Sequence, residues 1–503
     1  MFFFSQTFLG MVQRLATVAA LLLPFTSAFL LPSSPLPRVP SYRSASTRTL
    51  SMQYGSLREK PLKVIIAGGG IGGLVLANAL QRHGIEYDLY EKTREYRPFG
   101  GPIQVQSNAL AALEAINKDM TERIMAAGTT TGNRVNGLKD GVTNKWYCQF
   151  DTGAPAQKRG LPLTRVVDRP DLQSILLEYM DRSRLHTGVE VAEYTQLADG
   201  SVDVTLTNGE RVQGDVLVGA DGIWSNIRGQ MHSESPGKES ATYSGYTCFT
   251  GVCLARPHDV KEVAYKVYLA SEKYFVCSDV GKGRMQWYAM LGQPSGKKVP
   301  DGVQGAHLIK EYQGWSREVL ELLEITKEED INQRDLYDRP PLLLKGWAKG
   351  PVAVLGDAAH PMMPNLGQGG CQAVEDGYRL AQELSKITDR GDVAWALRMY
   401  ENQRLVRSSA VHGLARIASD VLFQSKLLFS NPVIGSFVGL MMTISMPLIL
   451  EFLYQNVLDE SDWGNAKGRL SNMAAYEDQS NTYKSVREAQ QALASKERQL
   501  QPN

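Results

Sequence analysis

The residues of this chain best placed for chemistry are an aspartate and a run of glycines late in the sequence. Gly356-Asp357 follows the apolar run Val352–Leu355, so a carboxylate stands where a short strand ends. Such a group can accept hydrogen bonds from a sugar or sugar-alcohol hydroxyl. Downstream, Leu366-Gly367-Gln368-Gly369-Gly370 leaves backbone N–H groups unshielded where a helix begins. Pro361 and Pro364 keep that helix from starting earlier, because the residue before a proline is pushed out of helical angles. Val374, Tyr378 and Ala381 then fall at i, i+4 and i+7, an apolar stripe for packing on a sheet. A helix start stripped of side chains lets a flat, electron-rich group reach unpaired amides and the positive end of the helix dipole. The chemistry indicated is ligand binding and charge stabilisation, not proton transfer.

Stepping upstream, Lys63–Ala67 reads as a buried strand, followed by glycines that match G-x-G-x-x-G at Gly68, Gly70 and Gly73, with Ile71 between them. A helix follows to a C-cap at Gly84, and a second strand closes on Glu91, 18 residues past Gly73. This strand–turn–helix–strand–acid order is the full context of a dinucleotide fingerprint. Gly70 lets backbone approach a pyrophosphate, and Glu91 accepts from ribose hydroxyls. That fits FAD or NAD and disfavours a 2′-phosphate. A third strand runs from Asp215 into Asp221-Gly222, and Arg169 opens a helix at DRPDLQSIL. Three distant turns serving one cofactor imply a discontinuous α/β domain, Rossmann-like, that the chain leaves and re-enters.

Between these turns, alternation at Val263, Tyr265, Val267 and Leu269 and at Met285, Trp287, Ala289 and Leu291 predicts a mostly antiparallel sheet, rich in aromatics, roofing an apolar pocket. The expected organisation is a cofactor domain over 59–240 and 346–420, an inserted β-sheet substrate domain over 241–345, an apolar helical region over 421–456 and a polar tail over 457–503. The tail is either solvated or a surface helix. Leu427–Leu450 carries no charge but holds Pro432 and Pro447, which suits lying on a membrane, lining an access tunnel, spanning a bilayer or joining the core.

No acidic residue precedes Glu59. Residues 1–28 read as a secretory signal peptide and 29–58 as an acid-free transit-type segment. A net charge of +1 argues against a nucleic-acid partner held by phosphate neutralisation. The five cysteines, 148, 248, 253, 277 and 371, form no CxxC pair, which points to reduced thiols and no structural metal site. No nucleophile elbow and no HExxH are present, and His360 is the only histidine placed near the late glycine loop. No catalytic side chain is therefore assigned; the cofactor would carry the hard step.

The glycine fingerprint with the Asp-Gly and Gly-Asp turns resembles the class A flavoprotein monooxygenases. In that family the Gly-Asp aspartate holds the flavin's ribityl and pyrophosphate region, the next helix points at the isoalloxazine pyrimidine, and an arginine matching Arg169 touches the FAD. Within it, GPIQVQSNALAALEAI at 101–116, GLPLTRV at 160–166, ATYSGYTCFTG at 241–251, YFVCSDVGKGRMQWYA at 274–289, YDRPP at 337–341 and LGQGGCQAVED at 366–376 resemble the zeaxanthin epoxidases. The Ala28-Phe29 junction resembles bipartite plastid leaders of algae with secondary plastids.

The resemblance implies an enzyme with FAD and O2 as cofactor and co-substrate, fed electrons by NADPH, by ferredoxin or by both. It would epoxidise xanthophyll β-rings through a flavin C4a-hydroperoxide on the stromal side of the thylakoid membrane. The product series would be zeaxanthin to antheraxanthin to violaxanthin, with diatoxanthin to diadinoxanthin as a further step. Two departures bear on this. The loop Asp357–Pro364 is closer to the general hydroxylase form, which leaves fine substrate choice open. The plant members carry a C-terminal FHA module, for which the residues after 455 are too few, so phosphopeptide binding is not expected. An aromatic hydroxylase, a non-redox carotenoid cyclase and a catalytically silent flavin-binding paralogue stay open as alternatives.

Overall fold

The computed structural model describes residues 61–96, 101–234, 241–270, 272–343, 345–419, 432–455, 458–463 and 485–500. The signal and transit segments over 1–58 lie outside the described residues, as do parts of the apolar region and the tail.

A six-stranded sheet organises the cofactor half, in the order Ala348–Lys349, Val352–Val354, Val216–Gly219, Lys63–Ala67, Glu86–Glu91, Leu185–Thr187. All neighbours run parallel except the first pair. Val64, Ile65, Ile66, Val216, Leu217 and Val218 are fully buried, as expected of parallel strands covered on both faces. Helices Ile71–Arg82 and Gly369–Ser385 cover one face and approach closely: a Cβ added to Gly377 would lie 3.0 Å from the Leu76 amide nitrogen. The order matters for function. Lys63–Ala67, Val216–Gly219 and Val352–Val354 are consecutive, so the turns leaving their carboxyl ends open side by side, where open α/β sheets bind ligands. The expected discontinuous α/β architecture with an inserted sheet and helical C-terminal region is the one found.

The roof is a seven-stranded sheet in the order Asn332–Asp338, Thr242–Leu254, Arg284–Gly292, Lys273–Asp279, Val263–Ala270, Val135–Asp140, Trp146–Phe150. Its last two strands come from within the 59–240 span assigned to the cofactor domain. Val135–Asp140 joins by a parallel pairing with Val263–Ala270, a contact between strands far apart in sequence that local alternation cannot reveal. The aromatics divide by face. Phe249, Tyr268, Phe275 and Trp287 pack away from the cofactor half, into a second core under helices Gln304–Glu311 and Arg317–Ile325. Tyr265, Tyr274 and Tyr288 line the space between the layers.

Helix Val393–Ala418 crosses behind the helix Gly369–Ser385, and helix Pro432–Leu453 lies against strand Trp146–Phe150, with Gly439 so close that an added Cβ would sit 2.4 Å from the Tyr147 carbonyl oxygen. Among the described residues, no helix is long and apolar enough to cross a membrane. In the tail, helix Val486–Leu500 packs Val486, Ala489 and Leu493 onto Val135 and Val263, so this part is a surface helix. All five cysteines are buried free thiols.

Candidate active site

The first turn is shaped by two glycines. Gly68 has φ +110°, and a Cβ there would come within 2.5 Å of the Ala220 carbonyl oxygen; one on Gly73 would meet the Gly68 carbonyl oxygen at 2.0 Å. Gly70 behaves differently, since an added Cβ would meet nothing within 4 Å. The first two glycines close the protein on itself, and the third leaves room. Glu91 accepts from the Gly69 amide at 2.7 Å through one oxygen and from the Thr93 amide at 2.8 Å through the other. It braces the turn, and lone pairs remain on both oxygens for further donors.

In the second turn Asp221 points inward. One carboxylate oxygen accepts from the Asn226 amide at 2.8 Å and the Ile227 amide at 3.3 Å, and the other is buried without a partner. Burial pushes this carboxyl up, against the hydrogen bonds it accepts. Asp221 therefore holds the turn that offers Ala220, Gly222, Ile223 and Trp224 to the cavity, and does not line the cavity itself.

The third turn supplies the exposed acid. Asp357 makes no hydrogen bond to the described residues and faces the cavity. Water reaches it only through that space, with protein around it, so desolvation raises its carboxyl, partly opposed by His360 and Arg169. Arg169 also lines the cavity; burial lowers its guanidinium, and Arg334 repels it, while Asp357 opposes both only in part. The sequence placed His360 near the chemistry. In the structure its ring is buried behind the loop, bonded to Asp376 at 2.6 Å, and does not line the cavity.

Helix Gly369–Ser385 opens onto the same space: Leu366, Gly367, Gly369 and Gly370 line it, Gln368 lies behind, and a Cβ on Gly370 would meet nothing within 4 Å. Its position is set by a buried polar layer that sequence reasoning missed. Gln106 donates to the Leu366 carbonyl at 2.7 Å, Gln368 donates to the Gln106 side chain at 2.7 Å, and Asn108 donates to Glu375 at 2.6 Å. Arg404 bonds both Glu375 and Asp376. Arg407 binds Glu375 at 2.9 Å and donates to the carbonyls of Phe452 at 3.0 Å and Leu453 at 2.8 Å. Burial alone would raise both acids, but Arg407 and Arg404 outweigh it at Glu375, and His360 and Arg404 at Asp376, holding each at about 2. Only the acidic pair at 375–376, beside the helix's apolar stripe, signalled this; its cationic partners are about thirty residues away.

These pieces frame one cavity of about 1010 Å³, at the upper end of the roughly 300–1,000 Å³ usual for a small-ligand site. Gly70, Gly222 and Gly370 all line it, each with open space where a side chain would stand, and Asp357 offers an unbonded acceptor between them. A glycine-walled trough across three strand ends, with an acid and a helix start aimed in, fits a dinucleotide. The far wall is the roof sheet, with Leu138, Val267, Val276 and Met290, and the side wall is Leu414, Ile417, Met442 and Met446. Along helix Pro432–Leu453, Leu440, Ile444 and Leu448 are exposed at successive turns, and Ile444 and Leu448 also line the cavity.

The FAD binding domain family matches residues 61–414. A chloroplastic zeaxanthin epoxidase from Prunus armeniaca is 47% identical over 75% of this chain and 57% of its own length. One from Spinacia oleracea is 47% identical over 73% of this chain and 55% of its own. The chain thus spans little more than half the length of these relatives. Among solved structures, a variant of Klebsiella pneumoniae HpxO complexed with FAD superposes with a TM-score of 0.68 at 26% identity, covering 77% of this chain and 99% of that one. With the family match spanning every turn that frames the cavity, the chain belongs to the FAD binding domain family and is a homologue of the chloroplastic zeaxanthin epoxidases.

Proposed function

We propose that the protein is an FAD-dependent monooxygenase that epoxidises the β-rings of xanthophylls, zeaxanthin to antheraxanthin to violaxanthin, with diatoxanthin as a further substrate. The observation that carries this is the continuity of the cavity: one space joins the glycine-walled cofactor trough to a long apolar vault under the roof sheet. The names and identity of the curated relatives support the same substrate class.

Asp357 would accept hydrogen bonds from the cofactor's ribityl or pyrophosphate region and Glu91 from the adenosine ribose, and Gly70 would let backbone close on the pyrophosphate in the turn that Gly68 and Gly73 shape. Arg169, beside Asp357, adds a positive charge. Ile71, Gly222 and Gly356 complete the trough walls. When bound, the flavin supplies O2 activation and the transferred oxygen atom. The amides at Gly369 and Gly370 would stabilise negative charge on the bound flavin, while the Gly367 amide closes the preceding turn on the Pro364 carbonyl at 2.9 Å. Leu138, Val267, Val276 and Met290 exclude water, and bury a polyene at roughly 25 cal/mol per Å² of apolar surface. An alkene donor needs no general base, unlike a phenol.

Electrons come from NADPH, from ferredoxin or from both; the sequence has no second dinucleotide fingerprint for them. The site of action is the stromal face of the thylakoid, with Leu440 and Ile444 resting in the membrane surface. Purified protein given FAD, a reductase system and zeaxanthin should yield products heavier by one oxygen atom per ring. Isomerised pigment without added oxygen would replace this reading with the cyclase, and oxygenation of a phenol but not of a xanthophyll with the aromatic hydroxylase.

A further inference from the structure

The cavity face of the roof has two cross-strand rows of aliphatic and tyrosine side chains and a third that carries amides and hydroxyls. One row runs Met290, Tyr274, Leu269, and the next Tyr288, Val276, Val267, Leu138, each residue opposite its neighbour on the adjoining strand. The third row is Gln286, Ser278, Tyr265, Asn136. All four of its members line the cavity.

Gln286 is the unusual member. It is 3% exposed, its side-chain nitrogen is buried without a partner, and its amide makes no hydrogen bond to the described residues. A buried primary amide left unbonded is rare, because its desolvation is not repaid. Its neighbours do not quench it: Ser278 donates at 3.3 Å to the Asp279 carbonyl, and Asn136 turns to the Arg134 carbonyl at 2.9 Å. Gln286 also stands at the cofactor end of the row. Its nitrogen is 2.1 Å from where a Cβ on Gly101 would be, and Gln104, on the same segment, lies 2.9 Å from the Cβ position of Gly367.

We infer that Gln286, with Ser278 and Tyr265 beside it, is the seat for a hydroxyl group on the substrate ring, and so sets preference for hydroxylated over plain β-rings. This rests on the proposed epoxidation. An amide can both donate and accept, as a ring hydroxyl can, so the match holds whichever way the amide is turned. The two other rows hold the rest of the ring and chain. A ring lacking the hydroxyl leaves the amide unpaired, which makes the row a filter as well as an anchor.

The test compares zeaxanthin with β-carotene, which has the same rings and polyene without hydroxyls, on the FAD-loaded full chain. Two readouts are taken, kcat/KM for epoxide formation and Kd from quenching of protein fluorescence. Wild type should favour zeaxanthin about 10- to 100-fold in both. Gln286→Leu should bring that ratio towards one, mainly by loss on zeaxanthin, and Tyr265→Phe should lower it less. FAD content is measured on each variant, and Tyr265→Phe decides if Gln286→Leu does not fold. A wild type indifferent to the hydroxyl, or folded variants that keep the full preference, would overturn the inference. Binding preference that vanishes in the variants without turnover of either pigment would uphold the seat and sink the epoxidase reading.

Discussion

Replacing Asp357 by alanine separates cofactor binding from folding more cleanly than any other change in the trough. The carboxylate makes no hydrogen bond to the described residues and faces open space, so its loss removes no packing and no hydrogen bond, only a charge near Arg169 and His360. A charge-assisted hydrogen bond to a cofactor hydroxyl contributes about 1.5–3 kcal/mol, so Kd for FAD should weaken roughly 10- to 150-fold. The folded carboxyl is raised by desolvation, which means the native state binds the proton more tightly than the unfolded chain. Ionised Asp357 therefore destabilises the apoprotein at neutral pH, and that penalty fades as pH falls through its raised pKa. The apo variant should unfold at or above the denaturant midpoint of the wild type, with the gap closing on acidification. Fluorescence titration with FAD and urea unfolding of the apoproteins give both numbers. Wild-type flavin affinity in the variant, or an apo variant that is clearly less stable, would refute the assignment of Asp357 as a cofactor ligand.

Gly70→Val should give folded apoprotein that takes up no FAD, since the added side chain enters empty space, whereas Gly73→Ala meets the Gly68 carbonyl oxygen at 2.0 Å and should cost about 1–3 kcal/mol in unfolding measurements. Arg404→Met leaves Glu375 and Asp376 short of a buried partner and should lower apoprotein stability by about 3–5 kcal/mol. Because both acids are held at about 2 against ordinary values of 4.5 and 3.8, their contribution is complete above that ordinary range and should drain away as pH falls towards 2, followed by circular dichroism. Leu440→Asp with Ile444→Gln should cut flotation with thylakoid-lipid vesicles at least tenfold, as each large apolar side chain contributes about 1.5–3 kcal/mol when buried; unchanged flotation would place the membrane contact elsewhere.

The three turns were legible because their chemistry is local: glycines at fixed offsets, an acid after a strand, a helix that cannot start before a proline. What each residue does there was less so. Asp221 has the residue type of a ligand, yet it spends its carboxylate on amides five and six residues ahead, and only geometry separates that from reaching outward. Glu91 also braces the turn before it, a role its position after a strand does not reveal. His360 reads as a cavity residue by position, and the Asp376 that turns it away becomes its neighbour only once the helix has wound. The hairpin Val135–Phe150 was not legible as part of the roof, because a parallel pairing leaves no trace in either strand's own pattern.

Arg407 ties the far end of the apolar helix to the acid that supports the cofactor-facing one, through Glu375 on one side and the Phe452 and Leu453 carbonyls on the other. That clasp makes the C-terminal region a keystone and not a detachable foot. Trimming the chain ahead of residue 432 to obtain a better-behaved sample would open the oily vault to water and strip the guanidinium of two acceptors at once. A shortened preparation that failed to hold flavin would then say nothing about the glycine turns, since the fault would lie at the opposite end of the lever.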